Sequence, residues 1–578
     1  PASVEEQAGN EIILHRHLHA VRSELGALDK AVEFEQSKSA PFTYIASPES
    51  SCLVECDEEP PHKINADALF AALEVCAALG SKVMDEIWVM RKTVIDGSNT
   101  SGFQRTAIVG LGGSIETSKG KVGIQSVCLE EESAGIVSDA ESGSRQFRLD
   151  RLGIPLIEIA TDPDIVDFEH AKEVSYKIGM LLRMNKAVMR GIGTIRQDLN
   201  VSIEGGARVE IKGAQELDLV PKYVQNEVVR QYSLLSVIEK LHALFPDGKI
   251  APGPATDLTD ALKGTECKII RRALDSGGAV YGARLPRHNG ILGIEVNPNR
   301  RYGSEISDYA KQSGVKGMIH SDEDLKKYSL SPSDVNAIIH ALHINNTDAF
   351  IMVADERSKC QQAIEFACAR VKILAVPEET RKANPDGTSS FMRPLPTSAR
   401  MYPETDVPPF RVTASLLSQA GKGAREGTPE SVLARLKSAL NEELALKIFR
   451  SEHLRLFEEL VAKGHDPMVA AVTLEDTLVS LRREGVLVTD VPKCVISALD
   501  SYKEGKIAKS AIPDLIREIA KGADTQSAIV SSGLEKITGK NLESVIIAEK
   551  FDMGQIMKKY RLNIEFAELE AVMKNLKG

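Results

Sequence analysis

The stretch Arg196-Gln197-Asp198-Leu199-Asn200-Val201-Ser202-Ile203 alternates polar and apolar residues, and after Glu204-Gly205-Gly206 the run Arg208-Val209-Glu210-Ile211-Lys212 alternates again. Alternation at period two describes a strand with two unlike faces. The glycine-bearing break predicts a hairpin closed by a three-residue loop with Gly in the left-handed region. Pairing Ser202 with Arg208, Asn200 with Glu210 and Asp198 with Lys212 puts all six polar residues on one face. Leu199, Val201, Val209 and Ile211 then share the other. A slip of one residue would scramble both faces, so the pattern itself sets the register. The polar face offers donors, acceptors and both charge signs. It suits an aminoacyl adenylate, a phosphate or a charged acyl group, and equally a solvated hairpin with cross-strand ion pairs.

Two acidic segments lie upstream. Leu129-Glu130-Glu131-Glu132 follows a strand-like run containing Val122, Ile124 and Val127. In a strand Glu130 and Glu132 share a side, and a hard cation such as Mg²⁺ takes carboxylate oxygens; a solvated acidic loop is the alternative. Ile154-Pro155-Leu156-Ile157-Glu158-Ile159 is a short apolar strand with one carboxylate. Glu158 therefore needs a cation, a proton or an arginine, and Arg148 and Arg151 are the arginines nearest in sequence. Helical spacing of Ile165, Phe168, Val174, Ile178, Leu181 and Leu182 predicts a helix over 163–185 with Asp162 or Asp164 as N-cap. A second helix is expected over 221–241, with Pro221 in its first turn.

Other motifs carry less chemistry. Val109-Gly110-Leu111-Gly112-Gly113-Ser114 lacks the lysine of a P-loop and reads as a hairpin turn. Gly277-Gly278 matches no phosphate signature, although the flanking Arg271 and Arg272 could meet RNA. His15 and His19 would share a helical face but lack a third ligand, so they read as surface residues. No GxSxG, HExxH or cysteine-nucleophile signature occurs.

The 578 residues suit roughly three to five domains. With 43% hydrophobic and 26% charged residues the composition is that of an ordinary globular chain. A net charge of −11 excludes a generally basic nucleic-acid coat, though not a local basic surface. The eight cysteines are scattered without a CxxC pair, which reads as reduced thiols and a cytoplasmic location. Cys52 and Cys56 are close, but further ligands at zinc spacing are missing. No apolar run approaches the ~20 residues of a membrane span.

The pattern predicts an α+β multidomain chain: a β-rich cradle over 1–258, an inserted α/β module over 259–375, a return to the cradle over 376–412, a helical domain over 413–484 and a tail over 485–578. Residues 491–578 carry 14 Lys and Arg against 12 Asp and Glu, making the tail the most basic large piece. Its Lys503, Lys506, Lys509, Lys536, Lys540, Lys558, Lys559 and Arg561 could meet phosphates or simply be a solvated surface.

Several strings together resemble the B/E family of tRNA-dependent amidotransferase subunits. They are Cys128-Leu129-Glu130-Glu131-Glu132, the run from Arg148-Leu149-Asp150-Arg151 through Ile154-Pro155-Leu156-Ile157-Glu158-Ile159, and Gly193-Thr194-Ile195-Arg196 through Ile203, continuing in Arg208 to Gly213. Within the family, Asp96-Gly97-Ser98-Asn99-Thr100-Ser101-Gly102-Phe103-Gln104-Arg105-Thr106 and the return string Met392-Arg393-Pro394 to Thr405-Asp406 are similar to the archaeal E type rather than the bacterial B type. The run from Gly264 to Pro286 resembles a domain shared with bacterial-type aspartyl-tRNA synthetases.

The resemblance implies an enzyme that uses ATP and Mg²⁺ to phosphorylate Glu on Glu-tRNA(Gln). It then amidates that residue with ammonia from an asparaginase-like partner subunit of the GatD type, glutamine or asparagine being the amide donor. It implies a hetero-oligomer, with Glu130 and Glu158 as metal ligands. Arg196, Asp198, Asn200, Glu210 and Lys212 would line the reaction pocket, Arg196 and Lys212 facing the nucleotide. Two departures stand out. The family's opening Gly-Leu-Glu-Ile-His strand, whose Glu and His complete the metal shell, has no match after Pro1, so half of that shell is expected here. Glu132 stands where the family usually has Asp. A non-catalytic tRNA-binding scaffold on the same fold is the rival reading, and a synthetase-related enzyme a third, weakened by the lack of synthetase catalytic motifs.

Overall fold

The computed structural model describes residues 11–19, 21–22, 26–37, 41–138, 145–191, 193–396, 401–426 and 428–577. The chain divides into two compact units, residues 1–424 and 425–578. Among the described residues no helix is long and apolar enough to cross a membrane.

The first unit opens with β1 (Ile12–Arg16) and β2 (Phe42–Ala46), an antiparallel pair. His15 thus lies on a strand, not a helix, with Nδ1 3.1 Å from the Thr43 hydroxyl. Helix α1 (Ala66–Leu79) starts at Asn65, whose side chain accepts the Ala68 N–H, and stops at Gly80 in the left-handed region.

The central sheet contains β3 (Val89–Thr93), β4 (Phe103–Leu111), β5 (Ser114–Thr117), β6 (Gly120–Glu131), β8 (Pro155–Thr161) and β15 (Met401–Pro403), and β7 (Arg145–Arg148) runs parallel to β2. Its main path is β8-β6-β4-β3-β15, antiparallel throughout. The glycine-rich stretch at 110–114 is a kink rather than the expected hairpin turn. It breaks one long strand into β4 and β5, both of which pair with β6. Gly113 has φ 101, and a Cβ there would meet the Leu79 carbonyl oxygen at 2.5 Å, so only glycine lets the strand bend against the end of α1.

One face of this sheet is buried. Val89, Ala107, Val109, Val122, Ile124, Val127 and Leu129 form a core with Leu69, Leu73 and Cys76 of α1 and Val174 of α2 (Phe168–Met184). The parity change between Ile124 and Val127 follows from a bulge: Ala160 of β8 faces Ser126, but the next residue, Thr161, faces Ile124. Helix α2 begins later than the periodicity predicts. Asp167, not Asp162 or Asp164, caps it by accepting the His170 N–H, while Asp164 accepts the Gly123 N–H of the sheet.

The second sheet holds β9 (Leu199–Val201), β10 (Val209–Lys212), β13 (Glu379–Ala383) and β14 (Ser389–Pro394) in that order. The β9/β10 register is the expected one, with Asn200 opposite Glu210, although the strands are shorter and the connecting loop longer than predicted. Leu199, Val201, Val209 and Ile211 are buried with Ala171 of α2 and with Val220 and Tyr223 of α3 (Val220–Leu244), which carries its proline in the first turn. Strand β13 runs parallel to β10, pairing Thr380 with Glu210.

Between α3 and β13 lies an α/β module. It contains α4 (Lys268–Asp275), β11 (Ala279–Leu285), α5 (Tyr302–Ala310), β12 (Ala349–Asp355) and α6 (Arg357–Val371). Short strands at Thr256–Asp257 and Ile319–His320 flank β11 and β12 in a four-stranded sheet.

Charged side chains cross the buried seam between module and cradle. Arg230 of α3 donates to Glu227 at 2.9 Å and to Glu305 of α5 at 2.7 Å. Arg381 of β13 donates to both Glu305 oxygens at 3.1 and 3.0 Å, and pairs with Glu379. Tyr309 donates to the other Glu379 oxygen at 2.8 Å. Arg230, Glu305, Glu379 and Arg381 have no side-chain exposure. Burial alone would lift the Glu305 carboxyl, but Arg381 and Arg230 outweigh it and hold it well below the ordinary range.

Helix α7 (Ala414–Glu426) reaches back to the cradle, with Ala420 in the core under the central sheet. The division into units accordingly falls after residue 424. The second unit is helical from Pro429–Ala439 to Phe566–Lys577, and its last helices close on Leu542, Ile546, Ile556, Ile564, Leu569 and Met573.

Removing one cation from a satisfied buried cluster leaves its carboxylates uncompensated. Arg230→Met is therefore expected to lower unfolding stability by about 3–5 kcal/mol, read from urea denaturation of the first unit's transition. An unchanged midpoint would mean the cluster contributes nothing net.

Candidate active site

The open face of the central sheet is set by strand alternation. Opposite the α1 core it carries Lys92 of β3, Gln104 and Thr106 of β4, Glu130 of β6 and Glu158 of β8. Glu130 sits opposite Thr106 on one side and Leu156 on the other, while Glu158 sits opposite Cys128. Glu130 therefore lies in a strand rather than in the alternative solvated loop, and two carboxylates from neighbouring strands meet on one face.

Glu130 is 8% exposed and well partnered. Lys92 donates to it at 2.7 Å and Thr106 at 2.6 Å. Burial pushes the Glu130 carboxyl up, but the Lys92 ammonium and these hydrogen bonds outweigh burial and hold it below its usual value. Glu158 has an exposed surface, yet burial and then the Glu130 charge beside it push its carboxyl up. Lys92 and Lys212 pull the other way without prevailing. Neither Arg148 nor Arg151 pairs with Glu158: Arg148 binds Glu11 at 3.0 Å and Arg151 binds Glu132 at 3.2 Å.

The second sheet and the segment leading into it approach the central sheet at three points. Arg196 pairs with Glu132. Lys212 lies close enough for its charge to act on Glu158. Arg393 of β14 pairs with Asp96 at 3.4 Å and also helps hold the Glu210 carboxyl down. On the ribbon, Lys212 bridges Asp198 at 2.7 Å and Glu210 at 3.2 Å. Burial pushes Lys212 down and Glu210 up, yet each charge outweighs that for the other: Lys212 is raised and Glu210 lowered from ordinary values. Both are thus held ionised. Asn200 is exposed on the same face, directly opposite Glu210. All seven expected site residues, Glu130, Glu158, Arg196, Asp198, Asn200, Glu210 and Lys212, therefore lie on this face or on the ribbon joined to it.

Glu130 and Glu158 suit Mg²⁺. Two carboxylates are about what this cation takes from a protein when phosphate and water complete its shell, and the raised Glu158 carboxyl is the mark of paired acids lacking a full counter-charge. Among the described residues no group of three or more His, Cys, Asp or Glu could hold a metal. Cys52 lies 3.9 Å from His62 and Cys56 is buried; both are free thiols. For an anion, Arg393 presents a buried Nε without a partner beside the ribbon.

Lys92, Thr106, Arg393 and Thr380 were not singled out by the sequence. A lone lysine in Val89-Met90-Arg91-Lys92-Thr93 carries no spacing signal. Arg393 and Thr106 lie inside strings that carry the family resemblance, but only the folded sheet shows what they touch. Arg271 and Arg272 lie in the α/β module, on exposed positions of α4.

The central sheet thus sets a pair of acids near a charged ribbon. The chain belongs to the GatB/GatE family: the GatB/GatE catalytic domain matches residues 30–418, and a GatB domain matches 455–560. Within the family the similarity runs to the E subunit of glutamyl-tRNA(Gln) amidotransferase. The Aeropyrum pernix protein of that name is 43% identical over 559 residues, covering 94% of this chain and 86% of the relative. Its Saccharolobus solfataricus counterpart is 42% identical, covering 98% and 91%. The Sulfurisphaera tokodaii counterpart is 44% identical, covering 92% and 86%.

On the core-facing parity of the same sheet, Glu131 is raised to about 6. Burial is the main cause, opposed by Arg105 and reinforced by Glu55 and Glu404. A carboxyl raised on folding stabilises the fold only while protonated, so its contribution is present below the unfolded pKa and lost as pH rises through about 6. Glu131→Gln is accordingly expected to be more stable than the parent by up to about 2 kcal/mol at pH 7.5, with the difference vanishing near pH 4. Paired denaturation curves at the two pH values test this; a constant difference would contradict it.

Proposed function

We propose that this chain is the kinase and amide-forming subunit of a tRNA-dependent amidotransferase, converting Glu-tRNA(Gln) to Gln-tRNA(Gln). The observation that carries the reading is the meeting of Glu130 and Glu158 with the Asp198–Glu210–Lys212 ribbon on one open sheet face. The esterified glutamate's γ-carboxylate attacks the terminal phosphorus of ATP, and ADP leaves. Ammonia then attacks the acyl carbon of the resulting mixed anhydride; inorganic phosphate leaves, a proton is lost and the amide remains.

Each residue has a place in this reading. Glu130 and Glu158 hold Mg²⁺, which supplies charge neutralisation on phosphate oxygens. Lys92 keeps Glu130 ionised for that task. Arg196 and Lys212 face the phosphates, where fixed cations stabilise charge that develops in the transition state. Asp198, Asn200 and Glu210 line the acyl and ammonia side, with Glu210 held as an anion able to accept a proton from the attacking ammonia.

The ammonia comes from an asparaginase-like partner subunit in a hetero-oligomer, with glutamine or asparagine as donor, and the cytoplasm is the setting. The α/β module, through the run from Gly264 to Pro286, is the part similar to bacterial-type aspartyl-tRNA synthetases. The tail over 485–578 meets the tRNA backbone. Lys503, Lys506, Lys536 and Lys559 already have protein partners, whereas no ion pair engages Lys509, Lys540 or Lys558 among the described residues.

Glu158→Gln is expected to abolish ATP- and Glu-tRNA(Gln)-dependent phosphate release while leaving tRNA affinity within about twofold, since phosphate contacts dominate such affinity. The assay uses the full-length chain with its partner. Undiminished release would remove the metal assignment, and no release from the parent protein would favour the scaffold reading. Replacing Lys509, Lys540 and Lys558 together by Gln is expected to weaken tRNA binding and flatten its salt dependence by about one slope unit for each phosphate no longer neutralised. A filter-binding slope that does not move would place the RNA-binding surface elsewhere.

A further inference from the structure

The proposed site depends on a side chain that belongs to neither the acidic pair nor the ribbon. Strand β13 lies beside β10 with Thr380 opposite Glu210. Thr380 is fully buried, and its hydroxyl donates to Glu210 Oε2 at 2.9 Å. The other oxygen, Glu210 Oε1, faces Lys212 Nζ at 3.2 Å. Each oxygen of this carboxylate is thereby committed, one to a cation and one to a neutral hydroxyl. Lys212 passes the order on to Asp198 at 2.7 Å. Thr380, Glu210, Lys212 and Asp198 form one chain of contacts across three strands or strand ends.

What fixes Thr380 lies on the opposite side of β13. Successive residues of a strand point to opposite faces. Glu379 and Arg381, the neighbours of Thr380, enter the buried cluster with Arg230 and with Glu305 of the α/β module. Arg381 also donates to the Ser389 hydroxyl at 2.8 Å and to the Ser389 carbonyl at 2.9 Å. Tyr309 of the module adds a ring stacked on Phe391 of β14 at 3.6 Å. A strand clamped on one face by multidentate charge pairs presents the hydroxyl on its other face at a fixed height. A low-energy rotation of Glu210 away from Lys212 is then opposed by the Thr380 hydrogen bond.

We propose that Thr380 is a positioning residue for the amidation reaction, holding the Glu210 carboxylate in place from a strand clamped on its far side to the α/β module. The inference rests on the reading that Glu210 lines the reaction pocket. It gives the module a part in the chemistry: Glu305 helps set the strand that sets Glu210. Loss of the hydroxyl leaves Glu210 Oε2 without its donor, lets the carboxylate swing, and leaves Lys212 drawn towards Asp198 alone.

The test uses the full-length chain assembled with its amide-donating partner and compares Thr380→Val, Thr380→Ser and Glu210→Gln. Val keeps the bulk and removes the donor, and Ser keeps the donor. Thr380→Val is expected to lower kcat by about tenfold to a hundredfold, the usual cost of losing an orienting partner. KM for Glu-tRNA(Gln) stays within about twofold, because contacts to the tRNA body are untouched. The acid limb of the kcat profile moves to higher pH, since a hydrogen bond to the carboxylate favours its ionised form. Thr380→Ser restores both kcat and the limb.

Parental kcat and an unmoved limb in Thr380→Val, with Glu210→Gln inactive, overturn the positioning role while the site reading stands. Full turnover in Glu210→Gln overturns the site reading and this inference with it. Should Thr380→Val not fold, Thr380→Ala against Thr380→Ser poses the same contrast, and equal kcat in the two overturns the inference.

Discussion

The Glu305 carboxylate accepts from two arginines that enter from different parts of the cradle, Arg230 on α3 and Arg381 on β13. Without solvent to screen them, these charges must be matched or the fold loses several kcal/mol per unpaired group. That requirement is what brings a chain segment some 170 residues downstream back beside β10. The parallel pairing of Glu210 with Thr380 spans this separation. Ladder hydrogen bonds between two short strands are interchangeable with those of any other strand. The charge cluster adds what the ladder lacks, because Glu305 of the module pairs with arginines on both α3 and β13.

The same logic of paired charges, moved towards solvent, produces the site. In the interior cluster cations outweigh burial and drive the carboxylate down, as at Glu305. On the open face the compensation is partial. Lys92 suffices for Glu130, but Glu158 is left with burial and a neighbouring anion and rises. The open face is therefore short of positive charge at Glu158, whereas the interior cluster is fully matched. On the ribbon, by contrast, Lys212 bridges Asp198 and Glu210, and the two carboxylates share one cation.

Much of this was legible in the sequence where periodicity governs. The ribbon's register followed from two alternating runs because Leu199, Val201, Val209 and Ile211 had to share the buried face. The helix expected over 221–241 runs from Val220 to Leu244 with its proline in the first turn. Glu158 stands out as a lone carboxylate in an apolar strand, and Glu130 as one of three adjacent carboxylates after such a strand. Signals failed where the third dimension decides. The bulge in β6 reverses the parity of Val122 and Ile124 relative to Val127 and Leu129, and nothing in the residues announces it. Gly112 and Gly113 signal a bend, but whether the bend closes a hairpin or kinks a strand depends on α1, whose last turn lies against Gly113. Arginines close in sequence were the natural partners for Glu158, yet Arg148 and Arg151 serve Glu11 and Glu132, and the cation beside the acidic pair is Lys92.

Lys92 also shows why an open ionic face and a core face need opposite sequence statistics on one strand. In Val89-Met90-Arg91-Lys92-Thr93, Val89 packs under the sheet while Lys92 turns to the open face. Arg91, on the same parity as Val89 but beyond the edge of the core, pairs with the buried Glu404 at 2.7 Å. Each charge is therefore placed by where the apolar packing ends, not by its neighbours in the chain. The α1 core decides how far the apolar face extends along β3, β4 and β6, and the residues past that limit are free to be ionic. On this view the cradle's chemistry lies in the fringe that its core leaves uncovered, and the clamped strand β13 brings the ribbon to that fringe.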